Sequence, residues 1–205
     1  LVVTSNIAPS RLYENGLQRR RFLPAIERID RHMCVMHLDD GPDYRLRVLT
    51  RANIYHWPFS DGADLSLAEC FGSLAPDTPT VGAVIEVNGR EIRTRQKSDD
   101  VVWFDFVEIC DGPRSQIDYV ELSREFHTVL ISNVPHFKEN RDDQARRFIS
   151  LIDEFYDRNV KVVLSAEVAP HELYDGQRLR MEFERTSSRL IEMQSLEYLS
   201  RSHRP

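Results

Sequence analysis

Thr4-Ser5-Asn6 closes the apolar run that opens this chain. An amide at such a strand end can orient a water beside a terminal phosphate, the kind of fixed dipole that assists phosphoryl transfer. Ser and Asn also cap turns and helices, so spacing alone leaves both readings open. Further on, Gln18-Arg19-Arg20-Arg21-Phe22 sets three guanidinium groups in a row. An exposed one can reach the phosphate bound by a neighbouring subunit, whereas a solvated basic turn needs no partner, and spacing alone favours the turn. Phe148–Glu154 (FISLIDE) has the apolar-then-acidic outline of a magnesium-holding strand. Its apolar positions follow a helical period, which puts Asp153 and Glu154 on a solvated helix face instead.

Other chemistries find less support. A loop that cradles phosphate needs Gly-Lys followed by Ser or Thr. The three lysines, Lys97, Lys138 and Lys161, follow Gln96, Phe137 and Val160, so none closes such a loop. His32, Cys34 and His37 have metal-binding types, but on an extended segment His32 and Cys34 face away from His37 and no fourth ligand stands near, so no metal site is expected. No Gly-x-Ser-x-Gly elbow offers a nucleophilic serine.

Three segments that could position these residues share one design: an apolar β-branched run, small polar residues, then proline. They are Leu1–Pro9, Thr128–Pro135 and Lys161–Pro170. Such runs suit strands buried on both faces, with polar ends at the carboxyl edge where open α/β sheets bind ligands. The first and third continue into an echo, APSRLYENG at 8–16 and APHELYDG at 169–176. Asp142–Arg158 carries Phe148, Leu151, Ile152 and Phe155 at helical spacing, which makes a β-α-β crossover. Asn88-Gly89 within Val84–Arg93 signals a hairpin. A third strand over Val101–Glu108, with Val102, Phe104 and Phe106 on one face, would complete an antiparallel meander. Ser60–Thr80 has the Gly, Pro, Asp and Ser of a linker with one short helix, and Arg185–Ser200 suits a last helix held by Leu190, Ile191 and Leu196. The expected segments are 1–59, 60–80 (linker), 81–110 (meander) and 111–205 (α/β). Leu1 falls in a strand already under way, so preceding chain is expected to supply part of the sheet.

Composition narrows the class. Apolar residues at 41% and charged residues at 29% over 205 residues describe a chain able to bury a core. A formal charge of −6 disfavours nucleic acid and anionic membrane as partners. Cys34, Cys70 and Cys110 are odd in number and far apart, which argues against a disulfide framework and for a reducing compartment. No apolar run approaches the roughly 20 residues that span a bilayer, and no secretory leader opens the chain, so no transmembrane segment and a cytoplasmic location are expected.

The blocks VVTSNIAPSRLYENGLQRRRFLPAI, DDGPDYRLRVLT, RSQIDYVELSREFHTVLISNVP, ARRFISLIDEFYDRNVKVVLSAEVAP and FERTSSRLIEMQSLEYLSR run from end to end of the chain. Together they resemble the AFG-one-like family of AAA+ P-loop ATPases, which has a bacterial cell-division branch and mitochondrial relatives. Ser60–Ser98 is the weakest stretch. The resemblance implies an α/β fold, the C-terminal part of a P-loop ATPase with a mostly parallel sheet, flanking helices and an inserted small antiparallel meander. It places the ATP and Mg2+ loops in an absent N-terminal half, makes residues 1–59 part of the ATPase core, and gives Asn6 the water-sensing role. Arg19 and Arg21 match the arginine positions of the family's GLQR-x-RF block and become trans-acting fingers, with Arg20 at its variable position. For the arginine that contacts nucleotide from its own subunit, Arg146, Arg147, Arg185 and Arg189 are candidates. A homo-oligomer hydrolysing ATP at subunit interfaces follows, acting at the division septum on the tubulin-like protein FtsZ, while this chain alone should be inactive. The competing expectation is a non-catalytic module that binds a division partner without nucleotide.

Overall fold

The computed structural model describes residues 3, 8–12, 19–36, 44–75 and 77–205. The chain divides into two compact units, Leu1–Gly41 and Pro42–Pro205. Asn6 and His37 lie outside the described residues. Of the expected opening strand only Val3 is described; it is exposed and pairs with none of the described strands, so burial of that run would need neighbours on its edges.

In the first unit a 3-10 turn, Pro9–Arg11, precedes helix α1, Arg19–His32. Pro9 suits a first helical position because its missing N–H would go unused there. The first turn of α1 holds arginine and no acid, the wrong sign for the positive end of a helix dipole. Ile26 is its buried contact.

The second unit begins with α2, Tyr44–Arg51, the short strand β1, Tyr55–His56, and α3, Asp61–Leu74. The stretch expected as a linker is therefore mostly a helix of 14 residues. Ser60 caps it by accepting from the Ala63 N–H at 3.3 Å, and Leu67, Cys70, Phe71 and Leu74 bury one face. Asp61, Gly62 and Asp64, part of the composition that suggested a linker, occupy its first turn. Strand β2, Thr80–Val81, leads to the hairpin β3, Val84–Val87, and β4, Arg90–Arg93. Its turn is the expected one: Asn88 at φ 50 and Gly89 at φ 73 supply the two positive φ values of a type I′ turn.

The chain continues through β5, Gln96–Lys97; β6, Val101–Asp105; α4, Phe106–Cys110; α5, Gln116–Glu125; β7, Thr128–Val134; α6, Asp142–Asp157; β8, Lys161–Ala166; α7, Arg180–Glu192; and α8, Leu196–Leu199. One sheet has the order β1-β8-β7-β6-β5-β2, and the hairpin β3-β4 forms a second. Strands β1, β8, β7 and β6 run parallel, while β5 and β2 are antiparallel at the far edge. Hence β6 belongs to the parallel core and not to a meander with the hairpin, and Phe106 starts a helix. The reason is burial on both faces: Val102 and Phe104 join one core, Val101 and Trp103 the other. One-sided alternation was the wrong period for a central parallel strand.

Helices cover both faces. Leu49 of α2, Phe71 of α3 and Leu199 of α8 pack with Trp103, Leu130 and Val163; Phe106, Tyr119, Phe148, Phe155 and Phe183 from α4 to α7 pack with Phe104, Ile131 and Leu164. The last segment is two helices, broken before Ser195, which caps α8 by accepting from Tyr198 N–H at 3.1 Å. Leu190 is buried as expected, whereas Ile191 and Leu196 are exposed and Met193, Tyr198 and Leu199 make the contacts.

Candidate functional site

The arginines of the GLQRRRF block are set by the start of α1. Arg19 sends Nη2 to the Ser10 carbonyl in the 3-10 turn at 2.9 Å. Its Nε is buried and has no hydrogen-bond partner among the described residues. Arg21, one residue beyond the next, is exposed. An unmet buried N–H costs about 1–3 kcal/mol, and each cation in the first helical turn adds some tenths of a kcal/mol. The second of these costs falls when an anion is brought to this end of α1. The arrangement is therefore suited to receiving negative charge.

The other four arginines lie in the second unit. Arg185 and Arg189 project from α7 onto α6, where both bind Asp153, Arg185 Nη2 at 2.8 Å from Oδ2 and Arg189 Nη1 on Oδ1. Arg189 also stacks 4.7 Å above the Tyr156 ring and lies 3.7 Å from Asp157. Arg147 is half-buried and donates from Nη1 to the Cys110 carbonyl at 3.4 Å. Arg146 is exposed near the start of α6. Asp153 and Glu154 do sit on a helix, and Glu154 accepts from Gln116 Nε2 at 2.7 Å.

A polar network that sequence reasoning missed closes the carboxyl ends of β6 and β7, the edge where parallel sheets bind ligands. Arg95 grips Asp105 with Nε and Nη2, both at 2.7 Å, and Asp64 with Nη1 at 2.8 Å. Ser132 Oγ donates to Asp64 at 2.9 Å and accepts from Trp103 Nε1 at 3.0 Å, while Asn133 Nδ2 donates to Asp105 at 2.8 Å from a backbone at φ 66. The hydrogen bonds that Arg95 donates to Asp105, with help from Asp64, hold its guanidinium above its ordinary pKa. Burial pushes Asp105 up, but its bonds from Arg95 and Asn133 win and leave it below the usual carboxylate range. Polar residues at the ends of β6 and β7 are visible in sequence; their pairing with Arg95 and with Asp64 on α3 is not, because it depends on how those elements cross.

Among the described residues no group of His, Cys, Asp and Glu could hold a metal ion. His32 ends α1 and Cys34 follows it exposed, so the extended geometry considered for them does not form. No helix among the described residues is long and apolar enough to cross a membrane.

The AFG1-like ATPase family matches residues 1–202. The chain is similar to the cell division protein ZapE of Escherichia coli K12, 47% identical over 203 residues that cover 99% of this chain and 54% of ZapE. It is 34% identical to lactation elevated protein 1 homolog B of Danio rerio over 233 residues, covering 97% of this chain and 46% of that protein. An uncharacterized protein of Schizosaccharomyces pombe, C115.02c, is 35% identical over 176 residues, 85% of this chain and 39% of its own. The chain thus spans about half the length of the curated relatives it matches. No solved structure matches. A match over nearly every residue, on a mostly parallel sheet flanked by helices as a P-loop ATPase requires, means that this chain belongs to the AFG1-like ATPase family.

Proposed function

We propose that this chain is the C-terminal part of an ATP-hydrolysing, ZapE-like protein, and that it contributes the guanidinium which completes a neighbouring subunit's active site. Bound ATP with Mg2+ would supply the phosphoryl group. The residues here do not fit a phosphate cradle, since no lysine follows a glycine, and that part falls to the rest of the parent. They do fit the charge that develops during transfer: Arg19 or Arg21 of one subunit meets it, and Asn6 orients the attacking water. Arg185 and Arg189 already share Asp153, so either would have to give up that pair to touch nucleotide; Arg146 faces no such exchange. The parent is then a homo-oligomer of the cytoplasm, and by its likeness to a cell division protein its polypeptide target is FtsZ or another septal component, with neither nucleic acid nor a membrane span involved.

The observation that supports this most is Arg19, whose Nε is buried and has no partner among the described residues, at a helix end that disfavours cations. In the full-length parent, Arg19→Ala or Arg21→Ala should lower ATP turnover about 1,000-fold, the size of a lost arginine finger. Unchanged turnover for both single variants and for the pair overturns the assignment. The lack of a Gly-Lys loop favours a second reading, a module that binds a division partner through the β3-β4 hairpin and α7 without nucleotide. Under that reading the isolated chain co-sediments with FtsZ polymers whether or not ATP is present, and the arginine variants bind as well as the parent.

A further inference from the structure

The sequences that lead into helices α1 and α7 are alike. A shift of 161 residues, without a gap, pairs Ala8-Pro9 with Ala169-Pro170, Leu12-Tyr13 with Leu173-Tyr174, Arg19 with Arg180, Phe22 with Phe183 and Arg28 with Arg189. The structure keeps that register. The 3-10 turn Pro9–Arg11 becomes Pro170–Glu172, and α1, Arg19–His32, falls in register with α7, Arg180–Glu192. The alanines that lead into the two turns have nearly the same backbone, φ −55 and ψ 144 against φ −63 and ψ 157. Each arginine also neighbours its own turn: Arg19 bonds to the Ser10 carbonyl, and Arg180 shares a cavity of about 470 Å3 with His171, which stands in the place of Ser10.

We propose that residues 162–189 repeat residues 1–28, and that Arg180 is the second-copy counterpart of Arg19, a guanidinium held out for an anionic group on another copy of the chain. Its presentation is fixed by Tyr174 of the repeat and the groups that hold that side chain. The Tyr174 hydroxyl donates to Asp142 at 2.8 Å and accepts from the Leu179 N–H at 3.1 Å, and the Tyr174 ring stacks on Phe183 at 5.2 Å. This anchors the chain just before α7. Arg180 itself is 68% exposed, and its one ion pair among the described residues is a loose contact to Glu184 at 3.5 Å, an arrangement that contributes little in solvent. Gln177, Ser187 and Ser188 line the same cavity with further polar groups.

The two copies differ where hydrolysis would be sensed. Glu167 replaces Asn6, and its carboxylate is spent on the His136 main-chain N–H at 2.9 Å. A carboxylate there repels phosphate, so the second copy keeps the contact arginine without building a second hydrolytic centre. The role given to Arg180 rests on the reading of Arg19 above.

The test uses the full-length parent, with sedimentation velocity across protein concentration and ATP turnover measured on Arg180→Ala, Arg180→Lys and Arg19→Ala. Arg180→Ala should raise the concentration for half-assembly about tenfold with an unchanged melting temperature, and Arg180→Lys should raise it less. If the anionic group is a side chain of the neighbour, turnover recovers once the variant is concentrated enough to assemble; if it is nucleotide phosphate, turnover stays low at every concentration. Arg180→Ala that assembles and turns over like the parent, while Arg19→Ala is inactive, overturns this proposal and leaves the function standing. Silence of both variants, or a parent that is monomeric, overturns both.

Discussion

His127 shows how closely charge is held in the second unit. Its Nδ1 lies 2.8 Å from Thr128 Oγ1, and its ring meets His203 edge-on at 5.8 Å. Burial first, then Arg45, Lys161 and His203, push its pKa down to about 4 against the opposing pull of Asp100. Because the folded value lies below the unfolded one, the unfolded chain takes up this proton first as pH falls. The contribution is whole above pH 6.5 and is lost between there and about 4. Its ceiling is about 3 kcal/mol, reduced by partial contact with water. Urea unfolding of the chain at pH 7 and pH 5 should show a drop that His127→Gln makes smaller; equal slopes in the two proteins contradict the account. Nothing in the sequence near His127 announced this, since its neighbours come from α2, β8 and the C-terminal tail. Arg19 and Arg21 could be singled out from sequence because the block that carries them is contiguous, and their role is the proposal made above. Arg95 could not, because both its carboxylates come from other elements.

Helices and strands were legible where one face is buried and the flanks are punctuated. The 84–93 hairpin, β7, α6 and β8 fall where alternation, apolar runs and the 3.6-residue period put them. A strand at β6 and a short helix at α3 were expected; the length of α3 was hidden by its polar first turn, and the place of β6 in the parallel core by apolar residues on both of its faces. The link before α7 was hidden as well. There Gly176 leaves no room for a side chain: a Cβ would collide with the Tyr174 hydroxyl that receives Leu179 N–H and binds Asp142. Gly176→Ala should therefore displace Tyr174 and destabilise the chain by roughly 1–3 kcal/mol, with faster amide exchange at Leu179. A melting temperature and exchange rate equal to the parent's would show that the anchor is dispensable.

The whole chain combines a sheet unit able to carry its own core with an arginine-bearing unit whose helix end is electrostatically unfavourable alone. An anion brought to that helix end would offset the imbalance, which is what the proposed function asks of it. The separation at Gly41 and Pro42 was not anticipated, because the composition shift at 60–80 is a cap and a solvent face and not a linker. The measurement that reaches the central claim most directly mixes two inactive full-length variants, one with its phosphate-binding loop disabled and one carrying Arg19→Ala and Arg21→Ala together. If the guanidinium acts across the interface, mixed oligomers contain intact sites and ATP turnover returns well above that of either variant alone. Turnover that stays at the level of the separate variants, in samples shown to have exchanged subunits, contradicts it.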